Sequence, residues 1–193
     1  MKIVDYDGSL SQAVRELSAE CFIDSPFYAA YKENGDNGKH ELGKLFDDSM
    51  RLCAEIGTAK CAVINGEIVG LIMGFDYAYV KAHHPDKFAF FFTDGNEEEQ
   101  NDILNEDLTV INKAVADSAK SAYLMIVAVS RAHRNSGIAS KLIEAFSEVY
   151  AGCDIVTDVV SEPMEHLCKK YGFEKYGTAA DCSVYLRKAD FLH

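Results

Sequence analysis

Val127-Ala128-Val129-Ser130-Arg131-Ala132-His133-Arg134-Asn135-Ser136-Gly137-Ile138-Ala139 is the stretch whose reading decides the fold. It closes a nearly unbroken apolar run, 122–129, that reads as a central strand buried on both faces. It opens a helix over 136–150, in which Ile138, Leu142, Ile143, Phe146 and Val149 face inward at helical spacing. A strand that feeds a helix through a turn gathers several backbone N–H groups at one point, and the helix N-terminus adds partial positive charge. Gly137 lacks a Cβ and lets a bulky anion approach the backbone, while the small Ala139 keeps the next turn open. The result is an anion nest suited to a pyrophosphate. A strand–helix connection with incidental basic residues is the other reading these thirteen residues allow.

The charge around the stretch departs from that of the chain. The 193 residues carry 31 Asp+Glu against 19 Lys+Arg, a formal net charge of −12. Residues 118–143 contain no acid, where an even spread would put about four, but do contain Lys120, Arg131, Arg134 and Lys141. The overall acidity excludes non-specific binding to nucleic acid, which needs Lys and Arg to displace counterions, and disfavours anionic membranes. It suits cationic small molecules, although solubility alone explains an acidic surface.

Working outward, residues 1–6 read as a first strand. Ser9 to Gln12 offers a capping box for a helix ending near Cys21, with Leu10, Ala13, Val14, Leu17 and Cys21 in register. Residues 34–38, Asn-Gly-Asp-Asn-Gly, read as a flexible loop, and Leu42, Leu45, Phe46, Ser49, Leu52, Cys53 and Ile56 as a second helix stopped by Gly57. Asn65-Gly66 between the β-rich runs 59–64 and 67–74 predicts a two-residue type I′ hairpin. Residues 76–95 resist assignment. The run 94–107 holds seven acids and no Lys or Arg, and 97–117 reads as a helix with an acid-rich start. After the central segment come a strand over 155–160, a short helix over 161–171 closed by Gly172, and strands over 173–176 and 183–187. No composition shift marks a domain boundary, so residues 1–193 read as a single domain.

Three features together resemble the GNAT N-acetyltransferase superfamily. Arg134-x-x-Gly137-x-Ala139 matches the family's acyl-CoA signature, Gln/Arg-x-x-Gly-x-Gly/Ala, at its three defining positions. The order of elements is the family's order across most of the chain. Leu167-Cys168-Lys169-Lys170-Tyr171-Gly172-Phe173 resembles the family's Leu-Tyr-x-Lys-x-Gly-Phe segment. The resemblance implies an α/β fold of the α+β type: a mixed central sheet with splayed fourth and fifth strands, flanked by helices. Residues 76–121 exceed the family's usual connection and are read as an insertion between the third and fourth strands.

The resemblance also implies chemistry. Acetyl-CoA is the expected co-substrate. Its pantetheine arm would pair with main-chain groups of the fourth strand at Val127, Ala128 and Val129, and its pyrophosphate would rest on Arg134, Asn135, Ser136, Gly137, Ile138 and Ala139. A primary amine of a small molecule or peptide would attack the thioester directly, with a backbone N–H of the fourth strand stabilising the oxyanion. The attacking amine must lose a proton and the departing thiolate can use one. The family's usual acid is a Tyr at the position of Cys168. A thiol there can donate, or simply fill the core, and Tyr171 is a second donor or a packed helix-end ring. For the base, the candidates are Asp158, Glu162, His83 and His84. Asp158 stands out because a charge near the end of a buried strand needs a reason.

The Phe88, Phe90, Phe91 and Phe92 cluster reads as core, with a substrate pocket or a homodimer interface as its other uses. A GNAT-fold module that binds acyl-CoA without turnover is the alternative function, motivated by Cys168. A nucleotide-binding reading of the nest ranks last, since no Walker lysine follows the turn. The six cysteines show no metal spacing and no metal site is expected. The N-terminus carries no signal-peptide pattern and no run has membrane-spanning length, so reduced thiols and a cytoplasmic location are expected.

Overall fold

The computed structural model describes residues 1–92, 98–179 and 182–189, with the side chains of 98–105 left aside. In chain order the elements are β1 (Lys2–Asp5), α1 (Ser11–Phe22), α2 (Ala29–Glu33), α3 (Gly35–Ile56), β2 (Thr58–Ile64), β3 (Glu67–Asp76), α4 (Tyr77–His83), α5 (Pro85–Phe92), α6 (Glu98–Ala114), β4 (Ser121–Val129), α7 (Ile138–Val149), β5 (Asp154–Val159), α8 (Glu162–Lys170), β6 (Glu174–Thr178) and β7 (Ser183–Arg187). The strands hydrogen-bond in the order β1-β2-β3-β4-β5-β7-β6, a mixed seven-stranded sheet. The chain divides into two compact units: residues 1–74 with 126–149, and residues 75–125 with 150–193.

In the first unit β1, β2 and β3 are antiparallel neighbours, and Asn65 (φ 52°) with Gly66 (φ 89°) makes the type I′ turn that the sequence predicts. Helix α3 turns Leu42, Phe46, Met50 and Cys53 inward, each at most 2% exposed. Burying a side chain of this size contributes about 1.5–3 kcal/mol. Helix α7 buries Ile138, Leu142, Ile143 and Phe146, the face expected from their spacing, whereas Val149 is exposed.

Two expectations for this unit are corrected. Ser9 and Gln12 form no capping box. Asp7 caps a short 3-10 turn, Gly8–Leu10, by accepting Ser9 N–H at 2.8 Å, and Gln12 turns to Glu16. Residues 34–38 do not form a loop, because Gly35 already opens α3. A Cβ on Gly38 would lie 1.7 Å from the Tyr31 carbonyl oxygen. Glycine lets α2 and α3 approach to backbone contact, and that packing overrides poor helix propensity.

Within α3, Asp47 is 0% exposed. It accepts from Tyr6 Oη and Ser11 Oγ at 2.6 Å each and from Arg15 Nε and a terminal nitrogen at 3.0 and 2.9 Å, while Arg51 stands at 3.4 Å.

In the second unit β5 runs parallel to β4 and antiparallel to β7, which pairs in turn with β6. The parallel register covers only Ser121↔Asp154, Ala122↔Ile155 and Tyr123↔Val156, and beyond Tyr123 the two strands are no longer paired. The region that resisted assignment contains two helices. Asp76 accepts Tyr79 N–H at 2.8 Å and caps α4, and Pro85 starts α5. Phe88 and Phe92, one turn apart, are buried as the core reading expects, while Phe90 is 36% exposed. Most of the acidic run 94–107, as far as residue 105, lies outside the described residues or side chains. Its last member, Asp107, is buried. Among the described residues no helix is long and apolar enough to cross a membrane.

Candidate active site

The connection from β4 to α7 lies wholly in the first unit. After a 3-10 turn, Arg131–His133, the chain passes through Asn135 at φ 61° and Gly137 at φ 81° before α7 begins. Two left-handed residues so close together turn successive N–H groups toward one side, and the first N–H groups of α7 have no intrahelical acceptor. Among the described residues, no hydrogen bond is made by the N–H groups of Asn135, Gly137, Ile138 or Ala139. A Cβ built on Gly137 meets nothing within 4 Å. The space a side chain would fill is open. These residues fit a pyrophosphate. Ser136 helps to hold the turn by donating its hydroxyl to His133 O, and Ser130 Oγ contacts His133 Nδ1 at 2.9 Å.

At the end of β4 Ser130 donates its N–H to Val69 O at 2.9 Å, so the backbone groups of neighbouring Val129 point away from β3. Just before the strand begins, the carbonyl of the even-numbered Lys120 accepts Asp154 N–H of β5 at 3.0 Å, so one parity does not hold along the strand. Val129 O accepts from Cys21 Sγ and Arg134 Nε, each at 3.5 Å. The Val129 carbonyl is thus already engaged within the protein, and Ala128 is buried.

The basic window is less basic in space than in sequence. Arg131 pairs with Asp24 at 2.6 Å and also bonds Glu20, and Lys141 pairs with Glu144 at 3.3 Å. Among the described residues Arg134 forms no ion pair, which leaves it as the cation beside the turn.

The proton-transfer candidates lie in the second unit. Cys168 is 1% exposed. Burial first, then the charges of Asp158 and Glu165, push its thiol up to about 12. Donation to a thiolate of ordinary proton affinity would be unfavourable by roughly a thousandfold. The Cys168 carbonyl instead ends α8, accepting Phe173 N–H at 2.9 Å behind Gly172 at φ 74°. Tyr171 is half-buried, with the Lys170 ammonium 5.3 Å from its ring centre. His83 is exposed, contacts Tyr79 O at 3.0 Å through Nδ1 and stacks on the Tyr79 ring. His84 meets that ring edge-on. Glu162 is exposed at the rim of a cavity of about 460 Å³ that Glu165, Cys182 and Tyr185 also line.

Asp158 has the environment of a base. Loss of water around its carboxylate raises its pKa above the ordinary value, and the hydrogen bond from Tyr123 Oη partly offsets this. Sequence reasoning missed Tyr123, having looked along the apolar run only for carboxylates. No local pattern pointed to it: only the strand register, Tyr123 opposite Val156, which shares a strand face with Asp158 two residues on, brings the two together.

The mixed sheet thus carries a left-handed glycine turn between its fourth strand and the following helix. The chain belongs to the acetyltransferase (GNAT) family, whose model matches residues 12–173. Its fold is similar to that of arylalkylamine N-acetyltransferase 2 from Aedes aegypti (TM-score 0.72, 17% identity, 98% of this chain and 99% of that one covered). It is also similar to the Drosophila melanogaster polyamine N-acetyltransferase, described as forming N-acetylagmatine (TM-score 0.66, 12% identity, 97% and 99% covered). A third similar structure is the PaiA N-acetyltransferase of Thermoplasma acidophilum in complex with coenzyme A (TM-score 0.59, 12% identity, 97% and 98% covered). At these identities the likeness is one of fold. No curated protein matches the chain.

Proposed function

We propose that the protein is an acetyl-CoA-dependent N-acetyltransferase that acts on a primary amine of a small molecule or peptide. The observation that carries this reading is the turn at Asn135 and Gly137, both left-handed and open in front of Gly137, immediately before α7. In this reading the N–H groups at 135–139 hold the pyrophosphate, with Arg134 beside them. Val127 and Val129 bind the pantetheine arm, and Asp158 takes the proton of the attacking amine. Acetyl-CoA itself supplies the activated thioester carbonyl. The similar structures described as acting on arylalkylamines and polyamines support small amines as the first acceptors to try.

Acetyl-CoA is incubated with a panel of primary amines and free CoA is followed by chromatography, because the partly exposed thiols of Cys21 and Cys153 would consume a disulfide reagent. CoA release above the hydrolysis background is expected with at least one amine. The buried, proton-retaining Cys168 favours a second reading, an acyl-CoA-binding module without turnover. That reading predicts thermal stabilisation by acetyl-CoA with no release across the panel. Absence of both release and stabilisation defeats both readings.

A further inference from the structure

Tyr123 is the feature of the second unit that the sequence left without a role. Its ring is 5% exposed and enclosed by Phe75, Tyr77 and Phe92, with ring centres 5.6, 6.3 and 5.5 Å away. Tyr77 opens α4 and Phe92 ends α5, so the helices between β3 and β4 supply much of this wall. The hydroxyl inside it is spent on one acceptor, Asp158 Oδ1. Among the described residues, no donor from another residue reaches Oδ2.

We infer that Tyr123 is a positioning residue: it fixes the orientation and the proton affinity of Asp158 so that Oδ2 is presented to the amine. The inference rests on Asp158 being the base of the proposed transfer. The proton passes from the amine nitrogen to the carboxylate as the N–C bond forms; the thioester C–S bond then breaks, CoA leaves as its thiolate and takes up a proton from solvent, and Tyr123 keeps its own. Burial and the neighbouring charge of Asp158 raise the phenol well above its ordinary value, so it acts as a hydrogen-bond donor only.

The groups gathered with Asp158 leave Tyr123 as the main control. Asp107 comes from α6 and is occupied by the Cys182 thiol at 3.2 Å. Cys182 precedes β7 and Cys168 lies on α8, both held protonated by burial. Arg187 of β7 pairs with Ile155, an odd-numbered position of β5, and so lies on the opposite face of the sheet from Asp158. No cation in this set competes with the Tyr123 hydroxyl.

The sign follows from the hydrogen bond. A donor to the ionised form lowers a carboxyl pKa, so Tyr123→Phe raises that of Asp158. A base must be ionised to act, and the acid limb of the kcat/KM profile marks its titration. Acetyl transfer is measured from pH 5 to 9 for the wild type, Tyr123→Phe and Asp158→Asn, with a carboxyl-carbon NMR titration of aspartate-labelled protein alongside. Tyr123→Phe is expected to move both the Asp158 titration and the acid limb upward by roughly one pH unit. Asp158→Asn is expected to lower kcat about 100-fold or more, with KM for acetyl-CoA unchanged. A merely structural Tyr123 would lower the rate equally at all pH values and leave the titration in place, and that result overturns the inference. Full activity in Asp158→Asn overturns it as well. A wild type that transfers acetyl to no amine defeats the underlying transferase reading instead.

Discussion

Gly137 combines two constraints that a single substitution separates from folding. At φ 81° an L-residue is strained by about 1–2 kcal/mol. The space before it is empty, so a side chain there meets no protein atom. Gly137→Asp should therefore fold, with an unchanged circular dichroism spectrum, while its carboxylate faces the N–H groups meant for phosphate. On the proposed function acetyl-CoA stabilises the wild type against heat, and that stabilisation is expected to vanish in the variant. A wild-type shift in the variant would take the nest out of cofactor binding. Asp47 works in the opposite sense, on folding and not on ligand. Burial pushes its carboxyl up, but hydrogen bonds from Ser11, Tyr6 and Arg15 and the charge of Arg51 outweigh this, and the net shift is downward. A carboxyl depressed in the folded state contributes stability above its unfolded value, about 3.9, and loses it as pH falls through the folded value. Asp47→Asn should thus destabilise by about 3 kcal/mol at pH 7, and the difference from wild type should shrink below about pH 4. Denaturant melts at pH 7 and pH 3 measure it, and equal differences at both would refute the assignment.

At the level of elements, legibility followed the length of the pattern. The helix now seen as α7 repeats apolar residues over three turns, and the β2–β3 turn carries an Asn-Gly pair that few other structures accept. Both were readable. Helices α4 and α5 were not, being seven and eight residues long. A run such as Phe88 to Phe92 has as much strand as helix character when read alone, and only the Asp76 cap and Pro85 separate the cases. The start of α3 failed for a different reason. Asn-Gly-Asp-Asn-Gly is loop-like in composition, and what makes it helical is the contact of Gly38 with Tyr31, invisible to any local pattern. The site divides in the same way. The turn before α7 is local, and its glycine, Gly137 at φ 81°, was legible in the sequence. The partner of Asp158 comes from 35 residues away, so only pairing register could bring Tyr123 into view.

Charge shows the same contrast at the scale of the whole molecule. Residues 118–143 read as a basic opening in a chain of net charge −12. In the folded protein Arg131 answers to Asp24, 107 positions away, so part of that opening is neutralised by residues the linear window leaves out. At a distance, a charged substrate therefore meets an acidic body. The field reaches about 30 Å at 0.01 M salt and only about 8 Å at physiological ionic strength. On the proposed function a protonated amine would be drawn in by it and anionic CoA repelled, so the backbone N–H groups proposed to hold CoA would act at short range, where salt screens little. The two substrates should then respond oppositely to ionic strength. Between 10 and 200 mM salt, KM for a cationic amine is expected to rise about threefold. KM for acetyl-CoA should stay level or fall, as screening relieves the repulsion. Steady-state kinetics with each substrate varied in turn reads both. A steep rise of KM for acetyl-CoA with salt would mean that exposed cations hold the cofactor, as they hold phosphates on nucleic-acid-binding surfaces, and that the nest at Gly137 does not.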